Sequence, residues 1–137
     1  IAEFCRKTGQ AVPESKGAFV RCIMESLAFR YRMAIEGLEK IAGYTIPVLH
    51  IVGGGTKNNL LNAFTANAVG RPVITGPAEA TAVGNLACQL TALGEVSGLS
   101  QARQLVRRSF PTKVYLPADN EAWDESYEKF CSIASLH

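Results

Sequence analysis

Apolar residues recur every three to four positions over long stretches of this chain, and short unbroken apolar runs lie between those stretches. One such pattern predicts a helix of about 27 residues, with Ser15 as its N-cap and Gly43 at its end. Its predicted inward face consists of Phe19, Ile23, Leu27, Ala34, Leu38 and Ile41. A helix of this length is expected to lie against a sheet.

Short β-branched runs alternate with helical patterns in the middle of the chain. Residues 47–52 and 73–75 are predicted as buried strands, and each precedes a glycine turn. Helices are predicted at 2–8, 57–69, 78–93, 99–108 and 120–133, with an extended segment at 112–116. The inward face of the last helix is predicted to carry Trp123, Tyr127, Phe130 and Cys131. This order predicts an α/β fold, helix-rich with few strands, whose partner strands come from another chain or from a longer protein.

Length and charge narrow the class of protein. The 137 residues, 47% hydrophobic and 19% charged, suit one globular domain. Fourteen Lys and Arg against twelve Asp and Glu leave a net charge of +2, which gives no argument for a nucleic-acid partner. No apolar run approaches the roughly 20 residues that cross a bilayer, and residues 1–10 carry no secretory pattern. We therefore expect a cytoplasmic protein without a membrane partner.

The cysteines and histidines do not form a metal-binding pattern. The chain has no CxxC pair. Its cysteines and histidines are Cys5, Cys22, Cys88, Cys131, His50 and His137. Their spacing predicts no zinc site, and reduced, mostly buried thiols are the expectation. Cys5 and Cys22 lie on consecutive predicted helices, and the sequence leaves open whether they are bonded.

The triple glycine at 53–55 is the segment best suited to contact a ligand. Glycine has no Cβ, so its backbone can approach a flat ring or a sugar closely. The following helix is expected to present free amides at Lys57, Asn58 and Asn59. A purely steric turn would use the same glycines. The segment is neither a Walker loop nor a dinucleotide fingerprint, because Asn58 stands where GxGxxG requires glycine.

The carboxylate inventory limits the chemistry. Phosphoryl transfer to a hydroxyl needs an acidic residue at the acceptor and carboxylates for magnesium. The only aspartates are Asp119 and Asp124, near the end of the sequence. Glu79 either caps a helix or orders the neighbouring glycine turn, and His50 is expected to be a core histidine rather than a base. The chain is thus suited to hold part of a nucleotide but not to react with it alone.

Three stretches together resemble one family. They are residues 21–32 (RCIMESLAFRYR), 49–62 (LHIVGGGTKNNLLN) and 70–85 (GRPVITGPAEATAVGN). In this order they are similar to the carboxy-terminal part of the FGGY carbohydrate kinases. The sequence motif of the third stretch distinguishes the chain from the xylulose and glycerol kinases of that family. The resemblance covers residues 1–118.

The resemblance implies one half of a two-domain enzyme that holds ATP and sugar in a cleft between actin-like, ribonuclease-H-like domains. Residues 1–118 would be the adenosine-binding part of the second domain, followed by a carboxy-terminal helix at 119–137. Gly53, Gly54 and Gly55 would lie against adenosine, Gly54 most closely, and Asn58 would be a polar contact to base or ribose. The family's catalytic aspartate is expected before residue 1, so no catalytic or metal-binding residue is assigned in this chain.

The implied activity is ATP- and Mg²⁺-dependent phosphorylation of L-rhamnulose to L-rhamnulose 1-phosphate. The alternatives are another ketose, such as xylulose or fuculose, and a catalytically inactive actin-like interaction domain. The implied partners are ATP, the sugar and the amino-terminal part of the same protein. An exposed sheet edge would also favour dimerisation, and the isolated chain is expected to be inactive.

Overall fold

The computed structural model describes residues 1–134, in which short strands lie between longer helices. The helices are α1 (Ala2–Lys7), α2 (Lys16–Ala42), α3 (Asn59–Val69), α4 (Ala80–Ala92), α5 (Leu99–Ser109) and α6 (Asn120–Ala134). The strands are β1 (Leu49–Ile51), β2 (Val73–Thr75) and β3 (Lys113–Tyr115). A 3₁₀ helix at Gly54–Lys57 separates β1 from α3. The predicted α/β, helix-rich architecture is confirmed.

The sheet has the order β1-β2-β3. β1 and β2 are parallel, with Leu49 opposite Val73, as the alternation of strands and helices predicts. β3 is antiparallel to β2, with Lys113 opposite Thr75, so the extended segment forms a third strand. The carboxyl ends of β1 and β2 and the start of β3 therefore lie at one edge of the sheet. On the side facing away from β2, β1 has no strand partner within residues 1–134.

The bounds of α2 follow from its two caps. The Ser15 Oγ accepts a hydrogen bond from the Ala18 N–H at 3.1 Å, which satisfies a free amide of the first turn. Gly43 ends the helix with φ 75°, a left-handed conformation that glycine adopts without strain. Both caps were predicted, and the 27 residues between them form one unbroken helix.

The predicted inward face of α2 is wrong. Phe19 is half-buried, whereas Ile23, Leu27, Ala34, Leu38 and Ile41 are exposed, Ile41 to 87%. The buried residues are Ala28, Phe29 and Ile35. The helix carries apolar residues on more than one side, and α3 and α6 cover the side that holds Phe29. Contrary to expectation, α2 packs mainly on these helices rather than on the sheet.

An aromatic cluster forms the core. The ring of Phe29 lies 5.4 Å from that of Trp123, 5.8 Å from Tyr127 and 5.4 Å from Phe130, and Phe64 lies 5.1 Å from Trp123. Three of these rings belong to α6, whose predicted inward face is confirmed. The cluster therefore joins α2, α3 and α6.

Charged groups close the same interface. Arg32 pairs with Glu36 and Asp124, donates a hydrogen bond to the Ala68 carbonyl at 3.1 Å, and lies 4.0 Å above the Tyr127 ring. The Tyr127 hydroxyl donates to Glu36 at 2.7 Å. Burial, together with the neighbouring carboxylate, raises the pKa of Tyr127. Arg32 thus connects all three helices of the core.

The remaining surfaces are open. α4 has no fully buried residue and lies along α5. An apolar groove of about 620 Å³ lies between these two helices and extends to Pro77, in the turn before α4. A cavity of about 380 Å³ lies between α2 and β1 and extends to Gly55. Both are lined mostly by apolar side chains, so residues 1–134 leave apolar surface uncovered on two sides.

Several smaller expectations have clear outcomes. The four cysteines carry free thiols, as expected, but only Cys5 is buried and Cys88 is exposed. His50 is exposed, so its prediction as a core histidine is wrong, and His137 and the end of the predicted 119–137 helix lie outside the described residues. No helix within residues 1–134 has the length and apolarity needed to traverse a bilayer.

Candidate functional site

The glycine turn begins where β1 ends. Gly53 has φ 82°, which a residue with a side chain rarely adopts, and a 3₁₀ helix at Gly54–Lys57 follows. The predicted helix at 57–69 instead begins at Asn59. The chain therefore leaves the strand, turns sharply at a left-handed glycine and makes one tight 3₁₀ turn before α3.

This turn is held beside the turn that follows β2. The Gly53 N–H donates to the Pro77 carbonyl at 3.0 Å, and the Gly76 N–H donates to the Ile51 carbonyl at 2.8 Å. A Cβ at Gly76 would lie only 3.0 Å from Val52 Cγ1. The reciprocal bonds join the two turns at one edge of the sheet, and a side chain at position 76 would have to displace the Val52 side chain by a few tenths of an ångström.

The three glycines of the turn differ in their surroundings. A Cβ at Gly53 would meet the Ala78 carbonyl at 3.9 Å and would be strained by the positive φ. A Cβ at Gly55 would make an ordinary contact with Ile51 at 3.7 Å. Gly54 is exposed, and a Cβ there would enter open space. The backbone at Gly54 is thus the part of the turn that a ligand could contact without obstruction.

Asn58 is the N-cap of α3. Its Oδ1 accepts from the Leu61 N–H at 3.0 Å, and its Nδ2 lies 3.5 Å from the Met24 Sδ of α2. The side chain predicted to contact a ligand therefore has partners within the chain at both ends. Its evident structural role is to fix the start of α3 next to the glycine turn.

Two polar residues that sequence reasoning missed support the turn from inside. The buried Asn62 donates from Nδ2 to the Thr56 carbonyl at 3.2 Å, and the Thr56 hydroxyl donates to the Gly53 carbonyl at 2.8 Å. Asn62 occupies a buried position of α3, one turn beyond the cap. An amide at an inward position of an amphipathic helix is the signal that could have identified it.

Asn59 connects the same helix start to β3. Its Oδ1 accepts from the Lys113 Nζ at 3.1 Å and from the Tyr115 hydroxyl at 2.7 Å. These partners are more than fifty positions away in sequence, and no local pattern indicates the contact. α3 is thus held at its first residue by a strand from much later in the chain.

The acidic residues do not gather at this edge. Glu79 is the exposed N-cap residue of α4, and within the described chain its carboxylate makes no capping hydrogen bond. Asp124 is exposed and is paired with Arg32, which joins α6 to α2. Residues 1–134 contain no group of three or more His, Cys, Asp or Glu side chains that could hold a metal ion. The donor set of this part of the chain therefore does not fit Mg²⁺, which prefers carboxylate and water oxygens.

Comparison with known proteins identifies the family. Residues 2–93, more than half of the chain, match the C-terminal domain of the FGGY family of carbohydrate kinases. A rhamnulokinase from Bacteroides thetaiotaomicron is 52% identical over 130 residues, which cover 95% of this chain and 27% of that protein. A rhamnulokinase from Bacillus subtilis is 46% identical over 119 residues, covering 87% of this chain and 24% of that protein.

The fold has a counterpart among solved structures. The crystal structure of xylulose kinase from Rhodospirillum rubrum superimposes with a TM-score of 0.73 at 22% identity, over 93% of this chain and 26% of that one. The chain spans about a quarter of the length of the curated relatives it matches. On the family match over residues 2–93, the chain belongs to the FGGY family of carbohydrate kinases, and this part of it corresponds to their C-terminal domain.

Proposed function

We propose that the longer protein is an ATP-dependent sugar kinase and that this chain supplies one wall of its adenosine site. The observation that carries the proposal is the open backbone at Gly54, at the edge of the sheet where β1 ends, in a chain of the FGGY family. Ligands of α/β sheets bind at the carboxyl ends of the strands. The proposal thus places the nucleoside at a position that is general for such sheets.

The glycine turn suits a flat nucleoside for steric reasons. Without side chains, Gly54 and Gly55 let the plane of a base or ribose reach van der Waals contact with the backbone. The Thr56 hydroxyl donates to the Gly53 carbonyl, and the Asn62 side chain donates to the Thr56 carbonyl. The shape of the turn is therefore set before a ligand binds. We propose Gly53, Gly54 and Gly55 as the residues that lie against adenosine, and Asn58 as a polar contact to base or ribose that also fixes the start of α3.

The reacting groups are proposed to come from the rest of the protein. In the transfer, the bond from the γ-phosphorus to the bridging oxygen of ATP breaks, a bond from that phosphorus to the sugar oxygen forms, and a base takes the hydroxyl proton. Asp124 is already paired with Arg32, and no acidic cluster accompanies the glycine turn within residues 1–134. We therefore place the base and the carboxylates for Mg²⁺ outside this chain.

L-rhamnulose is the proposed acceptor, with L-rhamnulose 1-phosphate as product. The support is the similarity to two proteins named rhamnulokinase at 46% and 52% identity. We propose a cytoplasmic enzyme, because ATP-dependent catabolic kinases act where ATP is supplied, and we propose that residues of the longer protein cover the unpaired edge of β1. Rates of the full-length protein with L-rhamnulose, L-fuculose and D-xylulose test the choice of sugar, and a clear preference for either alternative would overturn it.

Gly54→Val in the full-length enzyme tests the nucleotide site. The fold tolerates a side chain there, because a Cβ meets nothing within 4 Å, so its effect reports on the ligand. We expect the KM for ATP to rise at least about tenfold while the KM for sugar stays within about twofold, since the side chain would occupy the place of the nucleoside. Gly37→Ala in α2, where a Cβ also meets nothing within 4 Å, is the matched control. Equal effects on both substrates would contradict the assignment.

A further inference from the structure

β3 is the element whose contribution to the site is least expected from the sequence. It lies outside residues 2–93, which match the family domain, yet the most similar relative reported above aligns with 95% of the chain. Its antiparallel pairing sets Lys113 opposite Thr75, at the edge of the sheet where the glycine turn begins. β3 therefore lies beyond the matched part of the family domain, and it begins beside the proposed nucleotide site.

The register of β3 at this edge is fixed by a buried hydroxyl. Thr75 is 4% exposed, and its Oγ1 accepts a hydrogen bond from the Lys113 N–H at 3.1 Å. A one-residue slip would remove this bond and turn every side chain of the strand to the opposite face. Lys113 and Tyr115, two positions apart, share one face of the strand, and the bond to Thr75 fixes which face that is.

Both of these side chains reach one oxygen. The Lys113 Nζ and the Tyr115 hydroxyl donate to the Oδ1 of Asn59, the first residue of α3, and we call these three residues the β3 tether. Val114, between the two donors, faces away from them and is 58% exposed. On its other side the helix start is held by Asn58, which contacts Met24 of α2. The start of α3 is therefore held from both sides.

We propose that the β3 tether positions the glycine turn for nucleotide binding; this inference rests on the proposed function. The 3₁₀ turn at Gly54–Lys57 contains two glycines, and glycine loses more conformational freedom on ordering than any other residue. The β3 tether fixes Asn59, and this restricts the carboxyl-terminal end of the 3₁₀ turn before a ligand binds. Preorganisation of this kind raises affinity for the ligand that contacts the turn and leaves other ligands unaffected.

The test compares single and double variants in the full-length protein. Tyr115→Phe keeps the ring and removes only the donor, and Asn59→Ala removes the shared acceptor. Each is expected to raise the KM for ATP by about three- to tenfold, the effect of losing an ordinary hydrogen bond, while kcat and the KM for sugar stay within about twofold. The double variant should be no worse than the more affected single variant, because both substitutions break the same bond.

Val114→Thr, on the opposite face of the same strand, is the matched control and should leave kcat, the KM for ATP and the KM for sugar unchanged. An unchanged KM for ATP in Tyr115→Phe, or fully additive effects in the double variant, would overturn the β3 tether. If that happens while Gly54→Val still raises the KM for ATP, the proposed function stands without the tether. If Gly54→Val itself leaves the KM for ATP unchanged, the proposed function fails instead.

Discussion

The two sides of α2 differ in what covers them. On one side, Phe29 contacts three aromatic rings of α6 and is 6% exposed. On the other, Ile23, Leu27 and Leu38 are apolar but between 38% and 56% exposed. A helix that is apolar on both sides is typical of the interior of a larger protein. Since the chain spans about a quarter of its relatives' length, we infer that the rest of the longer protein covers the second side.

The sheet shows the same contrast. β2 has a strand on each side and buries Val73 and Thr75, whereas β1 has one partner within residues 1–134 and leaves His50 exposed. The cavity between α2 and β1 is lined by residues that include Tyr31, Ala34 and Leu49. We therefore propose that a further strand of the same protein fills this edge, and that dimerisation through it is the competing arrangement.

The largest expected effect that distinguishes the two sides of α2 is on stability. Phe29→Ala should lower the free energy of unfolding of the chain by about 3–5 kcal/mol, because it leaves a cavity within the aromatic cluster. Ile23→Ala, on the exposed side of the same helix, should cost less than about 1 kcal/mol. Urea unfolding followed by the fluorescence of Trp123, the only tryptophan of the chain, measures both. Comparable losses in the two variants would show that the sides are not different.

A smaller effect sharpens the description of the covered side. Tyr127→Phe removes the hydrogen bond to Glu36 and should cost about 1 kcal/mol at neutral pH. Burial and the Glu36 carboxylate raise the pKa of Tyr127 in the folded state. The neutral phenol is therefore favoured by folding. Its contribution to stability is complete below the unfolded value of about 10 and is lost as the pH rises above that value towards the folded one.

The wild-type chain should consequently lose stability more steeply above about pH 10 than Tyr127→Phe does. Urea midpoints between about pH 8 and 11 measure the difference, with Tyr44→Phe as a control at an exposed tyrosine. If the urea midpoints of the wild type and Tyr127→Phe fall equally steeply above pH 10, the hydrogen bond from Tyr127 to Glu36 does not determine how stability depends on pH in this range.

Local signals in the sequence predicted most of the elements. Ser15 and Gly43 determine the ends of α2 through bonds within one helical turn, and both ends were predicted from them. The β-branched run at 73–75 coincides with β2, and the apolar face of α6 is the one that packs. The ends of α2 depend on contacts between near neighbours, and β2 and α6 each carry a hydrophobic pattern that the sequence records directly.

Features that depend on distant contacts could not be predicted. The periodicity of α2 indicates that apolar stripes exist, but which stripe is buried depends on Trp123 and Phe130, almost a hundred positions away. His50 lies in an apolar run, yet it is exposed, and β1 has a strand partner on one side alone within residues 1–134.

The candidate site divides in the same way. The glycines stand together in the sequence, and the turn they form was predicted, although the 3₁₀ helix that delays α3 to Asn59 was not. Asn62 and Tyr115 were missed because their partners, Thr56 and Asn59, are recognised only once the chain has folded. Ligand contact by Gly53, Gly54, Gly55 and Asn58 stays a prediction.

Isothermal titration with ATP and Mg²⁺ tests the central claim most directly, in the full-length protein, its Gly54→Val variant and the 137-residue chain. We predict that the full-length protein binds ATP, that Gly54→Val weakens the affinity at least about tenfold, and that the chain alone binds weakly or not at all, because one wall offers only part of the contact area. Submicromolar affinity of the isolated chain, or an unchanged affinity of Gly54→Val, would contradict the account.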